Sequence, residues 1–359
     1  MEKTINQIQI IQGQRASEAP IDRSEGAKRI AIQGIKGSNH YLVAQNYFGS
    51  DIELHEFLSF DKLVDCLIAE NCDYGIMALE NTIAGSIIPN YALIDQNGLT
   101  ICGEYYQNIH HHLMALPGQE LKDIQEVCSH PMALLQCKQF FKPHKHIKLV
   151  EDVDTAEVAE RIAQKQLSGV AAIAPKVAAD LFGLEVLEDD IQTIKNNATR
   201  FVIVRKVTER RLLSVAEASR SQQSASEASS NQSEGVNDST ENNSTNKRSL
   251  SEAEVNKATK NDSTNPQIHI NKASLKFELD HKRGSLAAVL NVMSDCKLNL
   301  TKIQSLPKIE TPWKYAFFVD VTFEQYSDYA KAKAIIEIMA EEFKVLGEYK
   351  NGRTNEKEE

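Results

Sequence analysis

No stretch of this 359-residue chain approaches the ~20 consecutive apolar residues of a membrane-crossing helix. Positive charge is also short: 40 Lys and Arg stand against 50 Asp and Glu, a formal net charge of −10. That balance excludes a general nucleic-acid binder, which carries a basic field, so any anionic ligand must be held by local positive charge. Cysteine is scarce. Cys66, Cys72, Cys102, Cys128, Cys137 and Cys296 form no CxxC pair and no Cys/His set at zinc spacing, so the expectation is buried reduced thiols and no metal. The polar stretch Met1 to Gly26 offers only Ile8 to Ile11 as an apolar core, too short for a secretory h-region, so the chain is expected to be cytoplasmic.

From Ser219 to Pro266 there is no aromatic residue, and Val236, Leu250 and Val255 are the large apolar ones. Such a segment cannot bury enough surface to offset its chain entropy and reads as a linker. The expected organisation is a flexible N-terminus at 1–27, a first domain at 28–213, a disordered linker at 214–267, a second module at 268–350 and a tail at 351–359.

Residues 28–213 alternate strand-like and helix-like patterns, as in an α/β domain. Strands are expected at Arg29 to Gln33, Tyr74 to Leu79 and Gly169 to Ala174. Helices are expected to start at Asp154 and Pro175, the latter stopping at Gly183. After the linker the order is strand (274–279), helix (285–293), strand (299–306), strand (315–323), helix (329–343) and strand (344–349), a ferredoxin-like βαββαβ pattern.

Four segments carry candidate chemistry. Thr199-Arg200-Phe201 opens a strand with a hydroxyl and a guanidinium side by side, which suggests a small anionic substrate. Glu80-Asn81-Thr82-Ile83-Ala84-Gly85-Ser86 joins a strand to a helix expected at 87–95, with Ser86 as its N-cap; free N–H groups and the helix dipole would suit a carboxylate there, although a capped turn needs no ligand. Gly34-Ile35-Lys36-Gly37-Ser38 follows the first strand, with Ser38 able to cap the next helix. Ser129-His130-Pro131 opens another helix, with Ser129 as the expected cap. His110-His111-His112 invites a metal reading, but neighbouring strand residues point to opposite faces.

Together these segments resemble the prephenate dehydratase family with an attached ACT regulatory domain, over roughly residues 28 to 350. The resemblance implies a two-lobed dehydratase domain similar to type II periplasmic binding proteins, followed by an ACT domain. It implies Thr199 as the catalytic residue, and Gly37, Ser38, Asn81, Thr82, Gly85, Ser86 and Arg200 as substrate-binding, without cofactor or metal. The substrate would be prephenate, and phenylalanine the effector, bound by Gly284, Ser285, Leu286, Ala287, Gln304 and Ser305 between paired modules. An even oligomer, dimer or tetramer, follows from the same resemblance. The chain departs from the family pattern at Asn39, where Phe is usual, and at Gln304-Ser305-Leu306-Pro307, where Glu-Ser-Arg-Pro is usual. An arogenate dehydratase and a non-catalytic binding module are the alternatives.

Overall fold

The computed structural model describes residues 27–207, 270–308, 311 and 314–353. All of these but Val207 belong to one compact unit. The N-terminus and linker expected from the sequence lie outside the described residues. No helix among those described is long and apolar enough to cross a membrane.

The first part of the chain builds two sheets. Strands β1 (Lys28–Gln33), β2 (Ile52–Phe57), β3 (Tyr74–Asn81), the two-residue β4 (Gly85–Ser86), β5 (Leu99–Asn108) and β11 (Ala198–Lys206) form the first, in the order β2-β1-β3-β11-β5 with β4 paired to β3. Strands β6 (His112–Ala115), β7 (Glu126–Ser129), β8 (Lys148–Glu151), β9 (Val170–Ala174) and β10 (Glu185–Glu188) form the second, in the order β10-β6-β9-β7-β8. The chain therefore leaves the first sheet after β5 and returns to it as β11, antiparallel between β3 and β5.

Six helices cover these sheets: α1 (Asn39–Phe48), α2 (Phe60–Ile68), α3 (Ile88–Gln96), α4 (Pro131–Cys137), α5 (Thr155–Lys165) and α6 (Lys176–Phe182). Their ends follow local chemistry. Ser38 caps α1 by accepting from the Tyr41 N–H, and Asp154 caps α5 by accepting from the Ala156 and Glu157 N–H groups. Gly183, in the left-handed region at φ 68°, closes α6. On α2 and α5 apolar residues recur at helical spacing, and Leu63, Val64 and Leu67 of α2 and Ala156, Val158, Ala159 and Ile162 of α5 are buried.

Strands β12 (Lys272–Glu278), β13 (Asn299–Pro307), β14 (Tyr315–Thr322) and β15 (Glu342–Tyr349) form a third, antiparallel sheet in the order β13-β14-β12-β15. With α7 (Ser285–Asp295) and α8 (Tyr326–Met339) they give the expected βαββαβ order. Helix α8 stops four residues before Phe343, where the sequence pattern places its end, because Phe343 is claimed by β15 and pairs with Phe277. One face of this sheet shares a core with Val289 and Met293 of α7 and with Tyr329, Ala332 and Ile336 of α8. Ala316, Phe318, Leu346 and Tyr349 instead enter the core formed by α2, α3 and the first sheet.

The cysteine expectation is corrected in part. Cys66, near the end of α2, and Cys72, just before β3, form a disulfide, with Cα atoms 5.7 Å apart. The reversal between helix and strand brings them together, a proximity that a spacing of six residues does not advertise. Cys102, Cys128, Cys137 and Cys296 are in no disulfide; Cys128 and Cys137 are buried, Cys102 and Cys296 only partly.

Candidate active site

A cleft of about 430 Å³ is lined from both the first and the second sheet. The first, with the start of α1, supplies Ser38, His40, Ala78, Asn81, Gly85, Ser86, Thr199 and Phe201; the second supplies His130, Gln136 and Asp154 at helix starts and ends, with His111 on the connection between the sheets. A larger, more open depression of about 640 Å³ beside Arg29, His55 and Lys62 lacks such convergence of polar groups around a buried hydroxyl.

Thr199 is only 7% exposed and accepts a hydrogen bond at Oγ1 from Asn81 Nδ2 at 2.9 Å. The orientation of the Asn81 amide is set by its oxygen, which accepts from the Ile83 and Ala84 N–H groups at 2.9 and 2.8 Å. Asn81 Nδ2 also donates to Asn197 Oδ1 at 2.7 Å. Asn197 Nδ2 donates to Gln136 Oε1 at 3.0 Å, and His111 Nε2 lies 2.8 Å from the same oxygen. An amide oxygen only accepts, so His111 carries its proton on Nε2 and presents a bare Nδ1. Burial lowers the pKa of His111, and pushes that of His40 down to about 3, so both rings are neutral. His111 Nδ1 and His40 Nε2 are buried without a protein partner among the described residues, and both residues line the cleft.

Several expected site residues stand elsewhere. Arg200 points away from the cleft. Successive strand residues alternate faces, so with Thr199 and Phe201 in the cleft, Arg200 must enter the opposite side of the sheet. There it is 3% exposed; Nε donates to Glu104 at 2.7 Å, Nη2 to Tyr349 Oη at 2.8 Å, and Nη1 to Asp320. Lys272 joins at 2.9 Å from Glu104, and Ser274 bonds both Asp320 and Tyr349. Burial works against the Arg200 charge, yet Asp320, Tyr349 and Glu104 hold its pKa well above the ordinary value; burial would raise the Asp320 pKa, but Arg200 and Lys272 hold it below the usual carboxylate range.

Thr82 bonds the Ala198 backbone in both directions, at 2.9 and 3.0 Å, and tethers the loop to β11 without lining the cleft. Gly37, at φ 93°, lies against α6, where an added Cβ would come within 3.2 Å of Ala178. Ser86 is not a helix cap: it pairs with Glu80 in β4, and α3 begins two residues later with Pro89 in its first turn. Its place in the cleft is kept. Ser129 likewise ends β7, donating to the Ile173 carbonyl at 2.7 Å, while His130 caps α4. The three adjacent histidines diverge, His110 to Asp190, His111 to Gln136 and His112 to Asp189. Among the described residues one Cys/His group, His55 with Cys66 and Cys72, has ligand atoms within 4.8 Å of one another, and its two sulfurs are bonded together.

In the C-terminal sheet Gly284, at φ 89°, precedes α7, whose first turn holds Ser285, Leu286 and Ala287. Gln304 and Ser305 lie on β13, at the sheet edge, on opposite faces of the strand.

A family model described as prephenate dehydratase matches residues 30–209. The chain belongs to that family. It is 27% identical over 328 residues to a bifunctional chorismate mutase/prephenate dehydratase from Enterobacter agglomerans, covering 90% of this chain and 70% of that one. It is 37% identical over 196 residues to arogenate dehydratase/prephenate dehydratase 6 from Arabidopsis thaliana, covering 52% of this chain but only 45% of the relative. Among solved structures, a prephenate dehydratase from Arthrobacter aurescens in complex with L-Phe aligns at TM-score 0.67 and 20% identity over 90% of each chain. GqqA, described as a novel type of quorum quenching acylase, aligns at 0.67 and 21% over 90% of this chain and 97% of its own. At such identities both speak to the fold alone. No spacing in the sequence marks Gln136, Asn197 and His111 as the one hydrogen-bonded set that they form. Asn197 stands two residues before Thr199, and Gln136 falls in the segment opened by Ser129-His130-Pro131.

Proposed function

We propose that the chain converts prephenate to phenylpyruvate, carbon dioxide and water, with Thr199 as the proton donor. The observation that carries this is the Asn81–Thr199 hydrogen bond. Because Asn81 Nδ2 can only donate, Thr199 Oγ1 is the acceptor, and its own proton is free for the cleft. A ring hydroxyl placed there takes that hydrogen bond or proton and leaves as water. The C–C bond to the ring carboxylate breaks in the same process, its electron pair completes the aromatic ring, and carbon dioxide departs. One proton is consumed overall, and neither electrons nor a cofactor are required.

A threonine hydroxyl is a weak acid, so the rate must come from orientation and exclusion of water. The chain Thr199–Asn81–Asn197–Gln136–His111 supplies the orientation by linking the two sheets across the cleft. With Arg200 engaged elsewhere, the carboxylates fall to hydroxyl and N–H donors: Ser86, Ser38 and the first turn of α1, whose positive dipole end opens on the cleft. Gly85, beside Ser86, leaves room for close approach, an added Cβ there meeting nothing within 4 Å.

In this reading the two sheets are the lobes of a domain similar to type II periplasmic binding proteins, spanning 28–213, and residues 268–350 are an ACT domain. Phenylalanine would bind at Gly284–Ala287 and Gln304–Ser305 across a dimer or tetramer, as effector; it can inhibit only by favouring a state of poorer substrate affinity. Arogenate is the competing substrate. The test is Thr199→Ala: kcat for prephenate falls by ~10²–10⁴-fold while KM moves little. Near-parental kcat in a folded variant overturns the assignment.

A further inference from the structure

Among the described residues lining the cleft there is no lysine or arginine. Prephenate is nevertheless a dianion. An ammonium does reach the cleft wall, from the C-terminal sheet. Lys302, on β13, has Nζ 2.8 Å from Ser86 Oγ and 2.8 Å from Glu80 Oε1, and sits 5.8 Å from the centre of the Tyr91 ring. Its side chain is 8% exposed, whereas Glu80 is 40% exposed and carries the counter-charge toward solvent.

A lysine ammonium has donors only, so Ser86 Oγ accepts from it and the single serine proton must go elsewhere. Ser86 lines the cleft, and its proton is thereby free to be given there. Donors polarised by a charged partner make stronger hydrogen bonds, and a buried ammonium behind the hydroxyl favours an anion in front of it. Strand alternation puts Lys302, Gln304 and Leu306 on one face of β13, and Leu306 packs on the core beneath the first sheet, which holds the ammonium in place.

We propose that Lys302 is a positioning residue of the dehydratase site: it turns Ser86 into a donor for one substrate carboxylate, so the C-terminal sheet contributes to substrate affinity. This rests on the prephenate reading of the cleft. The experiment compares steady-state kinetics of the full chain with those of K302M, K302R, S86A and the double variant. K302M should raise KM for prephenate ~10-fold with kcat within about twofold, as expected for loss of a charge-assisted hydrogen bond. K302R should recover most of the loss, and the double variant should be no worse than S86A, because both substitutions remove one interaction. A merely structural lysine would lower thermal stability without shifting KM and without coupling to Ser86. Parental KM in K302M, or losses that multiply in the double variant, overturn the proposal while leaving the prephenate reading intact. S86A is independent of the folding of K302M, and parental KM there overturns the proposal too. No prephenate turnover by the parent chain would remove the reading itself, and this inference with it.

Discussion

Replacing Arg200 by methionine separates a structural tie from a substrate contact. The guanidinium is buried against Glu104, Asp320 and Tyr349, so among the described residues its loss leaves the Asp320 carboxylate with Ser274 as its remaining hydrogen-bond partner while Glu104 keeps Lys272 and the Gly352 N–H. Stranding one member of a buried pair costs about 3–5 kcal/mol. At roughly 2–4 °C per kcal/mol for a protein of this size, Tm should fall by about 6–20 °C. Removing the stranded acid as well, in Arg200→Met with Asp320→Leu, should recover about half of that, since apolar replacement of a whole buried pair is often neutral. Thermal melts followed by circular dichroism read the stability, and initial rates at low temperature read KM. The geometry predicts a KM for prephenate within about threefold of parental. A variant with unchanged Tm and a tenfold higher KM would place the guanidinium in the cleft and refute the reasoning.

Stability should also depend on the neutral His40. Its pKa is held at about 3 by burial against an ordinary 6.5, so between these values the unfolded chain takes up a proton that the folded chain refuses. The stability that His40 contributes is present above pH 6.5 and falls as the pH drops toward 3, and His40→Leu should flatten that part of the profile in urea titrations at stepped pH; an unchanged slope refutes it. Thiol titration in denaturant without reductant should find four reactive cysteines, rising to six after reduction, because Cys66 and Cys72 are joined. Six before reduction contradicts the pairing.

Where local chemistry decides an element, the sequence was legible. The Asp154 cap, the Gly183 stop and the Ser285 start all stand within a residue of their expected places, because a capping side chain or a left-handed glycine acts within one turn. Thr199, Asn81 and Ser86 were likewise brought to one cleft from segments recognised in the sequence. Facing was less legible. Adjacency in the sequence suggests Thr199 and Arg200 as a pair, although strand alternation forbids adjacent residues from sharing a face. Which of them meets the cleft depends on the sheet's neighbours: α1 and the second sheet on one side, the C-terminal sheet on the other. The Lys302–Ser86 contact, 216 residues apart, leaves no local pattern at either end. Ser86 shows the remaining failure: a serine before an apolar run reads as a cap, but pairing with Glu80 takes its backbone into β4 and Pro89 starts the helix instead.

The most direct measurement is phenylpyruvate formation from prephenate by the parent chain and by Thr199→Ala, with a chelator present and with arogenate as a parallel substrate. The account predicts chelator-resistant turnover of prephenate by the parent and a loss of ~10²-fold or more in the variant. Turnover of arogenate alone would move the substrate assignment. Absence of turnover with either substrate, or equal rates in parent and variant, would contradict the central claim.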